Sequence, residues 1–405
     1  FNNAQAYTVA GSAGLTFDNG TATQAVAKVE QGSHAFTLPV TLAAAGLAVD
    51  TAGESELTFG ATAGTGPLIK SGAGVVAFAQ PGSRTGRTEM SQGVLVFKDG
   101  GNPGTGETVM QGSAGMRVMG DAAAELPGPL TIKNGFNVNA QDHDLTWTGD
   151  LAWQSTAVQF NKVGTNRLIL AGSGVSEGTS VLNVRQGELT FADGAAYAFS
   201  AASQETIKLG GEAGMKTALT IEEGVTLVAG GISARCDSSG VAGGDALIVQ
   251  NGGDVYLSNG NALFLRHDGT APATYVMNGG TLEMPQTSWA NLGYYGPGIL
   301  QVNGGVMRLG RVAPGYQTRD ASFGKGSVHV TVNGGRLEAA GSWSWMSDGH
   351  ARLTEVTVNG GTLALPVTRT YGTNAANWTS LTLDGGTLEL LGPALDTSAT
   401  HDTLA

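Results

Sequence analysis

The chain has 405 residues, 64 of them glycine, with 13% charged and 6% aromatic residues and a formal net charge of −12. The acidic balance, with no cluster of Lys and Arg interleaved with aromatics to offset it, argues against nucleic acid as a partner. Abundant glycine beside few Lys, Arg and Glu argues against a helical protein, and the 41% apolar content is too high for disorder.

Val, Leu, Ile and Ala outnumber the aromatics, which predicts a narrow interior packed with small and branched side chains. The single cysteine, Cys236, rules out an internal disulfide framework and reads as a half-buried neutral thiol. No run of about 18 apolar residues is present, so no membrane insertion by this segment is expected. Phe1 has no basic and hydrophobic leader ahead of it, as expected of a processed or excised segment.

Residues 1 to 60 hold short alternating pieces, Leu15-Thr16-Phe17 and Ala35-Phe36-Thr37-Leu38, without a turn phrase, and are expected to form opening coils or a cap. Residues 61 to 200 carry a long phrase twice. The first copy reads Ser71-Gly72-Ala73-Gly74-Val75-Val76-Ala77-Phe78, then Thr85-Gly86-Arg87-Thr88, then Gln92-Gly93-Val94-Leu95-Val96-Phe97. The second runs from Lys162 to Phe191, with Gly164 through Leu170 as its first strand, Gly178-Thr179-Ser180 as its turn and Gln186 to Phe191 as its closing strand. Residues 101 to 160, between the copies, show little repeat.

Residues 201 to 391 repeat a shorter phrase: Asn251-Gly252-Gly253, Asn278-Gly279-Gly280, Asn303-Gly304-Gly305, Asn333-Gly334-Gly335, Asn359-Gly360-Gly361 and the variant Asp384-Gly385-Gly386. The steps are 27, 25, 30, 26 and 25 residues. Alternation flanks each phrase, as in Leu300-Gln301-Val302 and Met307-Arg308-Leu309, and a period of two marks half-buried strands.

Asn-Gly between strands also suits hairpins, the main competing reading. A recurring turn at a nearly fixed interval, with room in each period for two or three strands, favours a right-handed, single-stranded parallel β-helix. In that fold each phrase stacks on the next at roughly 4.8 Å, the asparagines form a ladder and the inward residues form apolar columns. The glycine after each Asn is expected in the left-handed region and too close to the stacked turn for a side chain, so Gly360→Val should cost more than about 1 kcal/mol. Residues 392 to 405 are a tail or continuation with no pattern that closes the last coil, so either more protein or a neighbouring chain should cover it.

The long phrase resembles the autotransporter-associated β-strand repeat, and the Asn-Gly-Gly coils look like related repeats of large bacterial surface proteins, including those of Verrucomicrobia and Lentisphaerae. The resemblance covers roughly residues 65 to 100 and 160 to 391. It departs from the family pattern at Thr85-Gly86-Arg87-Thr88, which lacks the second glycine of the usual turn. It implies a β-helix and an extracellular or cell-surface location, but no chemistry. The membrane barrel that would accompany such a passenger is not visible in this segment.

Motifs for chemistry are sparse. Gly174-Val175-Ser176-Glu177-Gly178 satisfies the nucleophile-elbow pattern, but the required helix does not follow. Asp142-His143-Asp144 alternates across a strand and reads as a polar turn. Asp237, Asp245 and Asp254 fall around consecutive turns and read as solvated carboxylates, with a hard cation as the alternative. The six histidines show no metal-ligand spacing. The Asn-Thr-Asp, Gly-His-Gly and Arg-Ile-Lys strings of pectin-cleaving helices do not occur. No catalytic residue, metal or cofactor is therefore expected.

Counted back from the turns, Trp289 and Trp345 lie at minus 14 and Tyr371 at minus 13, with Trp343, Tyr294, Tyr295 and Trp378 nearby. These rings either form a sugar-stacking stripe or fold over the coil edge to shield apolar turns. The expected function is an extracellular structural or adhesive rod of about 15 coils, on the order of 70 Å long. Its expected partners are glycans, other surface proteins or further copies packed end to end or side by side. A carbohydrate-binding or lyase-like β-helix is the alternative.

Overall fold

A computed structural model describes the chain except residues 21–22, 156, 211–213, 235–243, 266–270, 294–295, 316–326, 344–352, 367–377 and 393–405, with the backbone alone at Leu353, Trp378 and Thr379. The described residues contain strands and turns and no helix. Every strand pairing with a defined register is parallel, for example Leu300↔Val330 and Val330↔Val356. The fold is a parallel β-solenoid, and no Asn-Gly turn closes an antiparallel hairpin in the described residues.

The chain forms two compact units, one of Phe1–Leu182 with Gly187–Leu189, the other of Asn183–Gln186 with Thr190–Ala405. In each, the coils stack into three faces. One coil of the second unit shows the plan: Gly298–Val302 on the first face, the Asn303-Gly304-Gly305 turn, then Val306–Pro314 crossing the second and third faces.

The period of two decides what each strand buries. In Ala273–Met277 the residues Ala273, Tyr275 and Met277 point inward while Thr274 and Val276 stay half-exposed. Stacking then aligns inward residues into columns such as Ile248, Tyr275, Leu300, Val330 and Val356. Each fully buried Leu or Val of such a column contributes roughly 1.5–3 kcal/mol.

The units differ in coil length. On the third face of the first unit, Ala35, Thr58, Ala77, Val96, Arg117, Asn139 and Val163 align at steps of 19 to 24 residues. On the first face of the second unit, Thr220, Val249, Val276, Gln301, Thr331, Thr357 and Thr382 align at steps of 25 to 30. Residues 1 to 60 already belong to the coils: Ala25–Val29 pairs with Leu47–Thr51, which pairs with Leu68–Ser71.

Composition suggested an interior of small side chains, and the first unit corrects this. Phe36, Phe59 and Phe78 stack with centroids 5.7 and 5.9 Å apart, and Phe97 follows in register. Phe136 and Phe160 stack at 4.8 Å, and Trp147 and Trp153 are buried. A solenoid brings one residue of every coil to the same place, so even few aromatics collect into one column.

Candidate functional site

The outstanding chemical feature of the second unit is the row of turn asparagines. Asn278 donates from Nδ2 to Asn251 Oδ1 at 3.0 Å, and Asn303, Asn333 and Asn359 each donate to the preceding asparagine at 2.8 Å. The backbone continues the same parallel pattern through the turns, with Asn303 N to Met277 O at 2.7 Å and Asn333 N to Val302 O at 2.8 Å. Asn251 Nδ2 ends the row on Glu222 Oε2 at 2.9 Å. The expected ladder is present, and its amides run in one sense, each donor pointing toward the N-terminal coil.

The glycines share the work differently from the sequence expectation. Positive φ belongs to the second glycine, with Gly253 at 69°, Gly280 at 75°, Gly305 at 74°, Gly335 at 64° and Gly361 at 67°. The first glycine is required by proximity: a Cβ on Gly279, Gly304, Gly334 or Gly360 would lie 2.8, 2.5, 2.4 or 2.5 Å from the carbonyl oxygen of Asn251, Asn278, Asn303 or Asn333, the turn Asn one coil earlier. Gly252 meets Glu223 Cα at 2.9 Å instead. The Asp384 turn is the exception, because there the first glycine, Gly385, takes φ 94°. Its carboxylate has no proton to donate to Asn359 Oδ1, so the amide row stops one coil earlier.

The proposed aromatic stripe is only partly within the described residues. Trp289 is half-exposed on the third face with the Arg311 guanidinium 5.4 Å from its ring centroid. The equivalent places on the next two coils are Arg311 and Ser342, not aromatics. Trp343 is 3% exposed and aligned with buried Val312, so its ring is turned into the core and cannot stack on a sugar in solvent. Trp345, Tyr371, Tyr294 and Tyr295 lie outside the described residues, as does the side chain of Trp378.

The remaining motifs are taken up by structure. Gly174-Val175-Ser176 lies in the strand Ser173–Ser176. Asp144 accepts from Arg167 Nε at 2.9 Å and pairs with its Nη2 at 2.7 Å. Asp254 Oδ1 accepts from Thr281 Oγ1 at 2.6 Å, whereas Cys236 and Asp237 lie outside the described residues. Among the described residues no three His, Cys, Asp or Glu side chains converge to hold a metal. A shallow cleft lined by Asp193, Glu222, Glu223 and Asn251 sits at the head of the asparagine row.

Sequence reasoning missed the buried cations of the first unit. Lys70 replaces an apolar residue in the column between Val49 and Met90, and its Nζ donates to Ser71 O at 2.5 Å and Gly72 O at 2.6 Å. Lys162 follows Val138 in another inward column and donates to Val163 O at 3.0 Å and Gly164 O at 2.8 Å. Burial pushes both ammonium groups down to about 8. Arg84, fully buried, gives Nη1 to Gly66 O at 3.2 Å and Gly86 O at 2.7 Å, and Nη2 to Thr88 Oγ1. Burial lowers it to about 10.

Each cation donates to turn carbonyls that face the interior, where a carbonyl without a donor is costly; Val163 O also accepts from Ala140 N at 3.0 Å. A signal existed, since Lys70-Ser71-Gly72 and Lys162-Val163-Gly164 place lysine two residues before the first glycine of each long phrase. In the second unit Gln250 does similar work from an inward position, giving Nε2 to Gly253 O at 3.2 Å and Thr281 O at 2.8 Å while Oε1 accepts from Tyr275 at 2.7 Å.

Outward columns also pair across coils. Arg308 bridges Glu283 and Glu338 at 3.1 Å each, and Arg336 joins Glu338 at 2.9 Å to Glu389 at 2.6 Å. Comparison with protein families, curated proteins and solved structures finds no match to the chain.

Proposed function

We propose that this is an extracellular structural or adhesive β-helical protein of a bacterial surface, in which the stacked coils are the working part. The observation that carries the reading is the amide row from Asn251 to Asn359, repeated in the turns of five coils and joined by hydrogen bonds of 2.8 to 3.0 Å. Such a row reinforces a stack of coils without contributing to any reaction. The resemblance of the long phrase to autotransporter-associated repeats supports the exported location.

The test is antibody labelling of intact cells of the source organism, with permeabilised cells as control. Equal labelling of both supports surface display, and labelling only after permeabilisation overturns it. Adhesion is read by the retention of protein-coated beads on cells and glycan-coated surfaces, and self-association by sedimentation across a concentration series.

A second reading, glycan binding, is favoured by Trp289, whose half-exposed ring lies beside a cationic group. Incubation with pectins and other polysaccharides, with and without calcium, separates binding from cleavage. Release of shortened chains establishes an enzyme and overturns a purely structural role.

A further inference from the structure

Eight asparagines are followed directly by glycine: Asn19, Asn134, Asn251, Asn259, Asn278, Asn303, Asn333 and Asn359. The pair is chemically labile, because a glycine leaves its own backbone nitrogen free to approach the Asn Cγ. Attack forms a Cγ–N bond and closes a five-membered imide. The Cγ–Nδ2 bond breaks, and Nδ2 leaves as ammonia with the proton that the glycine nitrogen gives up. Water then opens the imide to aspartate, or to isoaspartate, in which the main chain runs through the side chain.

Seven of the pairs are held away from this reaction. In the row, Cγ can swing onto its own glycine nitrogen only after the amide bonds to the neighbouring coils are broken. Three of the nitrogens are engaged as well: Gly304 N donates to Met277 O and Gly334 N to Val302 O, both at 3.3 Å, and Gly360 N to Val332 O at 3.2 Å. Outside the row, Asn19 Nδ2 donates to Thr23 Oγ1 at 2.8 Å while Gly20 N donates to Asp18 Oδ1 at 2.9 Å. Asn259 Nδ2 donates to Ala201 O at 2.8 Å, and its Oδ1 accepts from Asn261 N at 3.3 Å.

Asn134-Gly135 is arranged differently. Asn134 is exposed, just ahead of the strand Phe136–Asn139, and its side chain bonds to no other coil among the described residues. Gly135 N donates to Oδ1 of its own Asn134 at 2.8 Å, so the attacking nitrogen already sits beside Cγ, the carbon that carries this oxygen. We propose that Asn134 is a site of spontaneous modification, converted through an imide with Gly135 to aspartate and isoaspartate, while the five row asparagines keep their amides. Conversion within the row would remove a donor, as Asp384 does at its end, whereas at Asn134 it adds surface charge and costs no bond between coils. The inference goes beyond the surface-protein reading and does not depend on where the protein works.

Incubation of the folded 405-residue protein in mildly alkaline buffer, then digestion with an acid protease and mass spectrometry of each Asn-Gly peptide, tests it. Asn134 should lose its amide at least about tenfold faster than any of the five row asparagines, giving aspartate and isoaspartate together. In urea all eight pairs should react within about threefold of one another, because the ranking comes from the fold. Gly135→Ala, whose Cβ would lie an accommodable 3.3 Å from Gln159 O, should slow the loss at Asn134. Asn303→Ala, which deprives Asn278 Oδ1 of its donor, should speed the loss at Asn278 relative to Asn359 by about threefold or more. Equal rates at Asn134 and the row in the folded protein, or the same ranking in urea as in buffer, overturns the proposal. An unchanged Asn278 in Asn303→Ala overturns protection by the row.

Discussion

The two units make the same parallel coils with opposite solutions for the turns. In the first, short coils bring turn carbonyls into the interior, and cations reach them from inside, as Lys70, Arg84 and Lys162 do. In the second, longer coils carry an Asn-Gly-Gly turn whose asparagines bond to one another on the outside. A buried cation costs desolvation and holds one place strongly, while an external amide costs little and extends with every coil. The first device serves the shorter coils, and the second serves the longer ones.

The largest effect should come from removing the geometry both units share. Gly361→Val forces a branched side chain into φ 67° and within 2.5 Å of Gly335 O, and should cost about 3 kcal/mol or more in urea unfolding. Gly360→Val, which clashes with Asn333 O at 2.5 Å without positive φ, should cost less, and the difference separates strain from crowding. Equal losses would mean that proximity alone sets the turn.

Next comes the interior of the first unit. Lys70→Met leaves the Ser71 and Gly72 carbonyls unsatisfied and should cost about 2 kcal/mol, net of the desolvation it relieves. The lysines also make a pH signature. Their folded values lie near 8, below the usual lysine range, so between about pH 8 and 10.5 the unfolded chain holds protons that the folded one has released. Stability from these groups therefore rises with pH across that window, by roughly 1–2 kcal/mol each once the carbonyl bonds to the charged form are set against burial. The Lys70→Met and Lys162→Met double variant should lose this rise. A wild type whose stability relative to the double variant falls over the window would contradict it.

The second unit should respond more gently. Asn303→Ala removes one bond on each side of the row and should cost about 1 kcal/mol, measured as a shift in the urea midpoint. Asp384→Asn should stabilise by about 0.5 kcal/mol by giving Asn359 Oδ1 a donor. The smallest effect is expected for Arg308→Ala, at most about 1 kcal/mol and fading with salt, because its pairs with Glu283 and Glu338 lie at the surface.

Much of the second unit was legible in the sequence. The Asn-Gly-Gly spacing located the turns, the alternation located the flanking strands, and the recurrence announced the amide row. The first unit was less legible because its turn donors are lysine and arginine, which pattern reading assigns to the surface.

Among the described residues the places equivalent to Trp289 are not aromatic, for a definable reason. Coil length varies mainly between the third face and the next Asn, so counting back from that Asn crosses the variable segment. Counted forward from the preceding turn, Trp289, Arg311 and Ser342 lie 11, 8 and 9 residues along, which is how the strands align them. A register shift between Leu309 and Arg311 then moves Trp343 to the inner side.

The one-way sense of the asparagine amides gives the second unit a direction that its apolar columns lack. A coil laid down after its N-terminal neighbour finds an acceptor waiting, whereas a coil added ahead of Asn251 would have to bring one, as Glu222 does. The amide row is thus capped at one end by the Glu222 carboxylate and stops at the other at Asp384, while the coils themselves go on stacking in register through that turn. The row therefore has two chemically different ends, both written into the sequence.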